Sequence, residues 1–284
     1  VWTGYRPGPW VLRALRSAGH IAIGVHPEPT GGRSTACRRP LRCPGPAADP
    51  AGFLAALARL SRERRADAIL PLSENAVEVL AGSAERRLGG AVIVGPDAER
   101  YGGLCDKEQL GQTLAAAGLE SPAGITVGAG GPSGPWPELP SIVKLRESAM
   151  GASAIEVVVA HDARARQAAV DAIVTAGYEA VVQERVTGTH WTVHAVRGAD
   201  GRFAAVLGRI ERTFPRAAGM PSVIRVLARG GPPVDVARHL LDHVDYRGLA
   251  NVQLFERDGR FLVHDVNVRP PAPVPLSIAG GLNL

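Results

Sequence analysis

The sequence predicts a mixed α/β and α+β protein, on three observations. Over residues 1–104, short apolar runs alternate with amphipathic helical stretches, as in a doubly wound parallel sheet. After residue 105 the strands come as hairpins around turns rich in Gly and Ser. The last long hairpin, Gly248 to Arg269, carries polar residues at fixed places inside otherwise apolar strands.

In the front part, Val1–Gly4 reads as the end of a strand, Pro9–Ala18 as a short helix with proline near its start, and Ile21–Val25 as a second strand. Ala51–Arg65 has an amphipathic helical pattern, Ala68–Leu72 is a buried strand, Glu74–Arg87 a helix and Ala91–Gly95 a further strand. The turn Gly4-Tyr-Arg-Pro-Gly8 is not a dinucleotide fingerprint, and no nucleotide is assigned to it.

Composition narrows the function. The chain has 284 residues, 45% hydrophobic and 21% charged, as in an ordinary soluble globular protein. No apolar run approaches the ~20 residues of a membrane span, so no membrane partner is expected. The net charge of +5 comes from arginines dispersed among acids, with no basic tract interleaved with aromatics, so nucleic acid is not expected either. Cys37, Cys43 and Cys105 form no CxxC pair, which indicates neither a zinc site nor a disulfide framework and fits a reducing cytoplasm. His239 and His243, four apart on a helix, read as a surface pair. The chain starts at Val1 without a methionine and ends abruptly at Leu284, so both ends are expected to be trimmed.

Of the 32 basic residues, only Lys107 and Lys144 are lysines. Where arginine is the default cation, a lysine can mark a place that needs a compact ammonium on a flexible stem, as in contacts to nucleotide phosphates. Chance is the other reading. Asp106 reads as the N-cap of a helix from Lys107 to Ala117, and residues 121–139 as a loop or linker. Ser141–Leu145 is a short strand with Lys144 between apolar neighbours, where an ammonium needs a partner. The small-residue loop Arg146–Ser153 can offer backbone N–H groups to phosphate oxygens. A strand Ala154–Val159, a helix Asp162–Ala176 and a strand Ala180–Gly188 follow, the last with Glu184 among apolar residues. Trp191–Val196 and Phe203–Ile210 pair as a hairpin ending near Arg209 and Arg212, which suit a γ-phosphate, a carboxylate or solvent alike. Gly219–Val226 is a loop and strand, and Pro232–Val244 a helix behind the final hairpin.

In that hairpin, Val252, Leu254, Leu262, Val266 and Val268 alternate with Gln253, Asp265 and Asn267. A two-residue Asp258-Gly259 turn would put Gln253 and Asp265 on opposite faces. A three-residue loop, Arg257-Asp258-Gly259, with a glycine bulge brings all three to one face, and that loop is the expectation. Oxygen ligands gathered there suit Mg²⁺, whereas the plain alternative is a polar strand edge.

Asp106-Lys107, Lys144, the Gly/Ser loop, Gln183-Glu184-Arg185-Val186, Gln253 and Asp265-Val-Asn-Val-Arg269 occur in the order found in the ATP-grasp superfamily, which residues 104–284 resemble. The resemblance implies a Rossmann-like pre-ATP-grasp domain at 1–104 and a two-lobed ATP-grasp domain behind it. The small lobe at 105–186 would carry the phosphate loop and the adenine-side strand, and the large lobe at 187–284 the metal site. It implies ATP and Mg²⁺, with Mn²⁺ as a substitute. Lys107, Lys144, Ser148, Gly151, Ser153, Gln183, Glu184, Val186 and His190 would contact the nucleotide, and Gln253, Asp265 and Asn267 the metal. Arg269, Arg209 and Arg212 would face the transferring phosphoryl group or a substrate carboxylate. The implied activity is an ADP-forming ligase that joins a small-molecule carboxylate to an amine or related nucleophile through an acylphosphate. The chain departs from the family pattern at Asp265 (commonly Glu), Val268 (commonly Pro), Leu145, the single Gly151, and His190 where relatives hold ribose with Glu. A catalytically inactive nucleotide-binding module, acting as a regulator or partner, is the alternative. A biotin-carboxylase-like or carbamoyl-phosphate-type enzyme is a third reading. The residues do not name the substrates or the oligomeric state, a homodimer being a possible assembly.

Overall fold

The computed structural model describes residues 7–27, 41–147, 157–216, 218–228 and 230–282. In the front unit, helix α1 (Gly8–Ser17) precedes strands β1 (Val25–His26) and β2 (Leu41–Arg42), which pair in parallel. Helix α2 (Pro50–Arg64) is capped by Asp49, whose carboxylate accepts the Gly52 N–H. Strand β3 (Ala68–Ile69), helix α3 (Glu74–Ala81), β4 (Arg87–Leu88) and β5 (Ala91–Ile93) follow; the sheet order is β3-β5-β4. The β3–β5 pair is parallel, as expected of a doubly wound unit, but β4 runs antiparallel to β5. The helix expected to reach Arg87 stops at Ala81, with Gly82 as its C-cap. The chain then returns as β4 and turns at Gly89-Gly90. Gly89 has φ +61° and lies so close to α2 that a Cβ would meet the Ala58 carbonyl oxygen at 2.1 Å, so only glycine closes this turn. Phe53, Leu57, Leu60, Ile69, Leu80 and Ile93 fill the core beneath.

Helices α4 (Ala98–Cys105) and α5 (Lys107–Ala116) come next, N-capped by Asp97 and Asp106. Leu104, Leu110 and Leu114 sit in the core under the large sheet. Helix α5 therefore packs with the large lobe, although chain order puts it ahead of the small one.

The small lobe is an antiparallel sheet, β7-β6-β10-β8-β9, made of β6 (Gly124–Gly128), β7 (Gly131–Pro132), β8 (Ser141–Leu145), β9 (Val158–Ala160) and β10 (Ala180–Glu184). Helix α6 (Ala163–Thr175) backs it through Val170 and Ile173. Strand β6 lies in the stretch read as a linker. Its glycine content disguises it, yet Gly124 is what lets β6 approach β10: a Cβ there would meet Gln183 Cγ at 2.6 Å.

The large lobe is a second antiparallel sheet, β13-β12-β11-β14-β15. Its strands are β11 (Thr189–Arg197), β12 (Phe203–Phe214), β13 (Met220–Ala228), β14 (Gly248–Arg257) and β15 (Arg260–Asn267). Side chains alternate across it. Val193, Val252, Leu254, Val263 and Val266 face the helix layer of α4, α5 and α7 (Pro232–His243), in which Leu240 and Leu241 of α7 are fully buried. Each such side chain contributes about 1.5–3 kcal/mol of hydrophobic stabilisation. On the other face, α8 (Val274–Ala279) comes close to Gly208 through Leu276, and His194 Nδ1 meets Ser277 Oγ at 2.8 Å. Among the described residues, no helix is long and apolar enough to cross a membrane.

Candidate active site

The site is built on the β14–β15 hairpin. Arg257 pairs with Arg260, so the loop is the two-residue Asp258-Gly259, with φ of +54° and +76° as in a type I′ turn. The expected three-residue loop is incorrect. Gln253 nevertheless pairs with Asp265, because Leu254 pairs with Val263 and His264 is an extra residue in a β-bulge. The bulge, and not the turn, makes the one-residue shift. Gln253, Asp265 and Asn267 consequently share the face opposite Val252 and Val266. Asn267 Nδ2 donates to Asp265 Oδ2 at 2.6 Å, and Gln253 Nε2 approaches the same oxygen at 3.5 Å. A half-turn of either amide would present its oxygen instead, giving the hard oxygen donors that Mg²⁺ takes. Arg269 reaches Asn267 Oδ1 at 3.2 Å and Glu74 Oε1 at 2.9 Å, which ties this end of the hairpin to the first turn of α3.

The two lysines arrive from the other side. Lys144 stands on β8 opposite Val181 and is 8% exposed. Its Nζ donates to the His264 carbonyl at 3.0 Å, across the gap between the lobes. Burial, reinforced by Lys107 and only partly opposed by Asp265, lowers its pKa from 10.5 to about 7. Lys107 Nζ donates to the Arg146 carbonyl at 3.2 Å. The Arg146 side chain grips the buried Asp106 carboxylate at 2.7–3.0 Å, and Asp106 also caps α5. This joint fixes the start of α5 against the end of β8 and so brings both ammonium groups to one place. Among the described residues no carboxylate lies directly on Lys144 Nζ, and such a pair of cations fits a phosphate chain.

At the junction of the lobes, Gln183 and Val186 are buried. Glu184 accepts the Ala123 N–H at 3.1 Å and Arg257 at 3.0 Å. Burial raises its pKa, but these partners outweigh burial and hold it below the usual range. Glu184 Oε1 thus serves the small lobe itself, and Oε2 bridges it to the turn end of β14. His190 stacks on Phe255 with centroids 4.3 Å apart, and its Nε2 lies 3.0 Å from His264 Nε2. Burial pushes His190 down to about 4 and His264 well below its ordinary value.

Arg212 shares a cavity of about 350 Å³ with His190, Ile210, Glu211, Thr213 and Arg216. Arg209 is not brought to the cluster. It pairs with Trp191, which pairs with Leu254, so it lies on the helix-facing side of the sheet, tied to Glu211 at 2.7 Å. Ser148, Gly151 and Ser153 lie outside the described residues. Glu74, Phe255 and His264 also border the site, beyond the residues that the sequence marks. Glu74 carried a usable signal, being an acid in the first turn of a helix just beyond a parallel strand.

No sequence-family model matches this chain, and no curated protein does. Solved structures do. An L-amino acid ligase from Bacillus licheniformis superposes with a TM-score of 0.70 at 17% identity, over 92% of this chain and 64% of that one. An N5-carboxyaminoimidazole ribonucleotide synthetase from Thermotoga maritima gives 0.66 at 15%, over 97% and 69%. A biotin carboxylase from Campylobacter jejuni gives 0.63 at 17%, over 95% and 64%. The chain thus spans about two thirds of the length of these proteins. This chain shares the fold of all three, the ATP-grasp fold.

Proposed function

We propose that the protein is an ATP-dependent ligase that activates a small-molecule carboxylate by phosphorylation and passes it to an amine. The observation that carries this reading is the convergence of Lys144 and Lys107 from one side on Asp265, Asn267 and Gln253 from the other, within an ATP-grasp fold. Neighbouring folds include one solved with ADP and one named as a β-γ-ATP complex. In this reading Lys144 and Lys107 hold the phosphates, the junction strand at Gln183–Val186 borders adenine, and His190 meets the ribose. Asp265, Asn267 and Gln253 hold a divalent cation, which when bound neutralises phosphate oxygens. A carboxylate oxygen attacks the γ-phosphorus, the bond to the β–γ bridging oxygen breaks, and ADP leaves with the bond's electrons. Arg269, held by Glu74 and Asn267, faces the transferred group. The amine then attacks the acyl carbon, expels phosphate and gives up its proton. The chain's part is positioning and charge neutralisation, and no residue is assigned as a general base.

The test is ADP release from Mg-ATP with pooled carboxylates and hydroxylamine, which traps an acylphosphate as a hydroxamate. The expected result is a hydroxamate that needs one particular acid and is lost in Lys144→Ala. Mg-ATP binding with no ADP from any pool would instead support a nucleotide-binding module without turnover. That second reading draws on Arg209 turned away from the cluster and on Glu184 fully engaged by Arg257 and Ala123.

A further inference from the structure

His190 and His264 come from different strands, β11 and β15, and meet Nε2 to Nε2 at 3.0 Å. Two ring nitrogens that close cannot both direct a hydrogen at the other: one donates and the other offers a lone pair. The rings are held in place. Phe255 stacks on His190 at 4.3 Å and lies against His264 at 4.8 Å. The His264 backbone is fixed by the bulge and by Lys144 on its carbonyl. Gln253 hydrogen-bonds the His190 ring.

We propose that, when no nucleotide is bound, His190 and His264 chelate one first-row transition-metal dication between their Nε2 atoms. This goes beyond the ligase reading and uses a different ligand set from the oxygens that would hold Mg²⁺. The bite fits. Nitrogens ~2.1 Å from a metal on adjacent octahedral positions are ~3.0 Å apart, and ~3.4 Å apart at tetrahedral corners. The observed 3.0 Å matches the octahedral separation, and each ring turns while staying against Phe255, so that its Nε2 lone pair aims at the metal instead of at the other nitrogen. The metal takes the place of the shared hydrogen, which moves to Nδ1 of the donor ring, so both imidazoles stay neutral and no proton is released. Among the described residues no three His, Cys, Asp or Glu side chains already surround a common point. The two rings are therefore a bidentate anchor, and water fills the remaining positions. Lys144 and Lys107 oppose the cation and Asp265 favours it. Imidazole donors select Ni²⁺, Co²⁺, Cu²⁺ or Zn²⁺ over Mg²⁺. Because His190 also borders the proposed ribose position, metal and nucleotide compete.

The experiment is calorimetric titration of the nucleotide-free protein with Ni²⁺, for the wild type and for His190→Gln, His264→Gln and His239→Gln. The wild type is expected to bind one Ni²⁺ that Mg²⁺ does not displace. Either of the first two substitutions should weaken it by more than the ~10–100-fold lost when only an outer partner of a metal ligand is removed. His239→Gln should leave it unchanged, since that ring is engaged by the Ala117 carbonyl at 2.8 Å. No binding event, or an event that survives both His190→Gln and His264→Gln, would overturn the proposal. Far-UV circular dichroism shows which variants are folded. If His264→Gln disturbs the bulge and fails to fold, His190→Gln alone decides.

Discussion

Replacing Lys144 by methionine removes a buried ammonium and keeps most of the stem. A fall in pKa from 10.5 to about 7 corresponds to roughly 5 kcal/mol against the charged form, at about 1.4 kcal/mol for each tenfold change. At 8% exposure little of this is screened by solvent. The unfolded chain keeps this proton up to about 10.5, whereas the folded chain releases it near 7. Between those values the unfolded state binds more protons, so Lys144 makes stability rise with pH across that window. Near pH 7 the methionine variant is expected to be more stable by up to a few kcal/mol and to lack that slope. The functional consequence runs the other way. At pH 8 a group of pKa about 7 is charged in roughly one molecule in ten, and phosphates beside it restore the charge, so nucleotide binding should take up roughly 0.9 proton. Mg-ATP titrations in buffers of different ionisation enthalpy read this uptake as a slope. The wild type should show it and Lys144→Met should lose most of it. Equal slopes in the two proteins would refute the assignment of Lys144 to phosphate.

The remaining predictions concern the frame of the site. Asp265→Ala should lower ADP formation by at least ~100-fold, as when an electrostatic contact to developing charge is removed, and Arg269→Ala should lower it as well. Arg209→Ala should stay within a few-fold of wild type, because that side chain lies on the opposite sheet face; initial rates decide all three. Asp106→Ala removes a helix cap and the buried partner of Arg146, which keeps Glu108 and Glu179, and should cost about 2–3 kcal/mol by urea denaturation. Glu184→Gln should cost about 1 kcal/mol or less at neutral pH, since the pair with Arg257 is partly exposed. The folded chain holds Glu184 below its ordinary 4.5, so its contribution is present above that value and disappears as pH falls through the lowered one. Wild type and variant should therefore converge in acid.

Much of the hairpin's outcome was readable. Alternation alone pairs Val252 and Val266 with the core and leaves Gln253, Asp265 and Asn267 as a set. The device that unites them was not readable, because a bulge at His264 leaves no mark in composition, whereas Asp258-Gly259 is a strong local turn signal that the structure follows. Missing the bulge also hid His264, which then meets His190 from the neighbouring part of the sheet. The faces of Arg209 and Arg212 depend on the pairing of β12 with Trp191 and the rest of β11, a long-range fact. Strand β6 was lost because its glycines, which allow close approach to Gln183, read locally as a linker. The scarcity of lysine was the most informative compositional signal: Lys107 and Lys144, 37 positions apart, end close enough for Lys107 to bear on the charge of Lys144.

The central claim is that one nucleotide lies between these lysines and the polar face of the last hairpin. A crystal structure grown with Mn²⁺ and a non-hydrolysable ATP analogue tests it most directly. The account predicts an anomalous Mn²⁺ peak ~2.0–2.3 Å from oxygens of Asp265 and Asn267, with the phosphates on Lys144 and Lys107. A nucleotide bound elsewhere, or phosphates that leave Lys144 on the His264 carbonyl with Mn²⁺ away from Asp265, would contradict it.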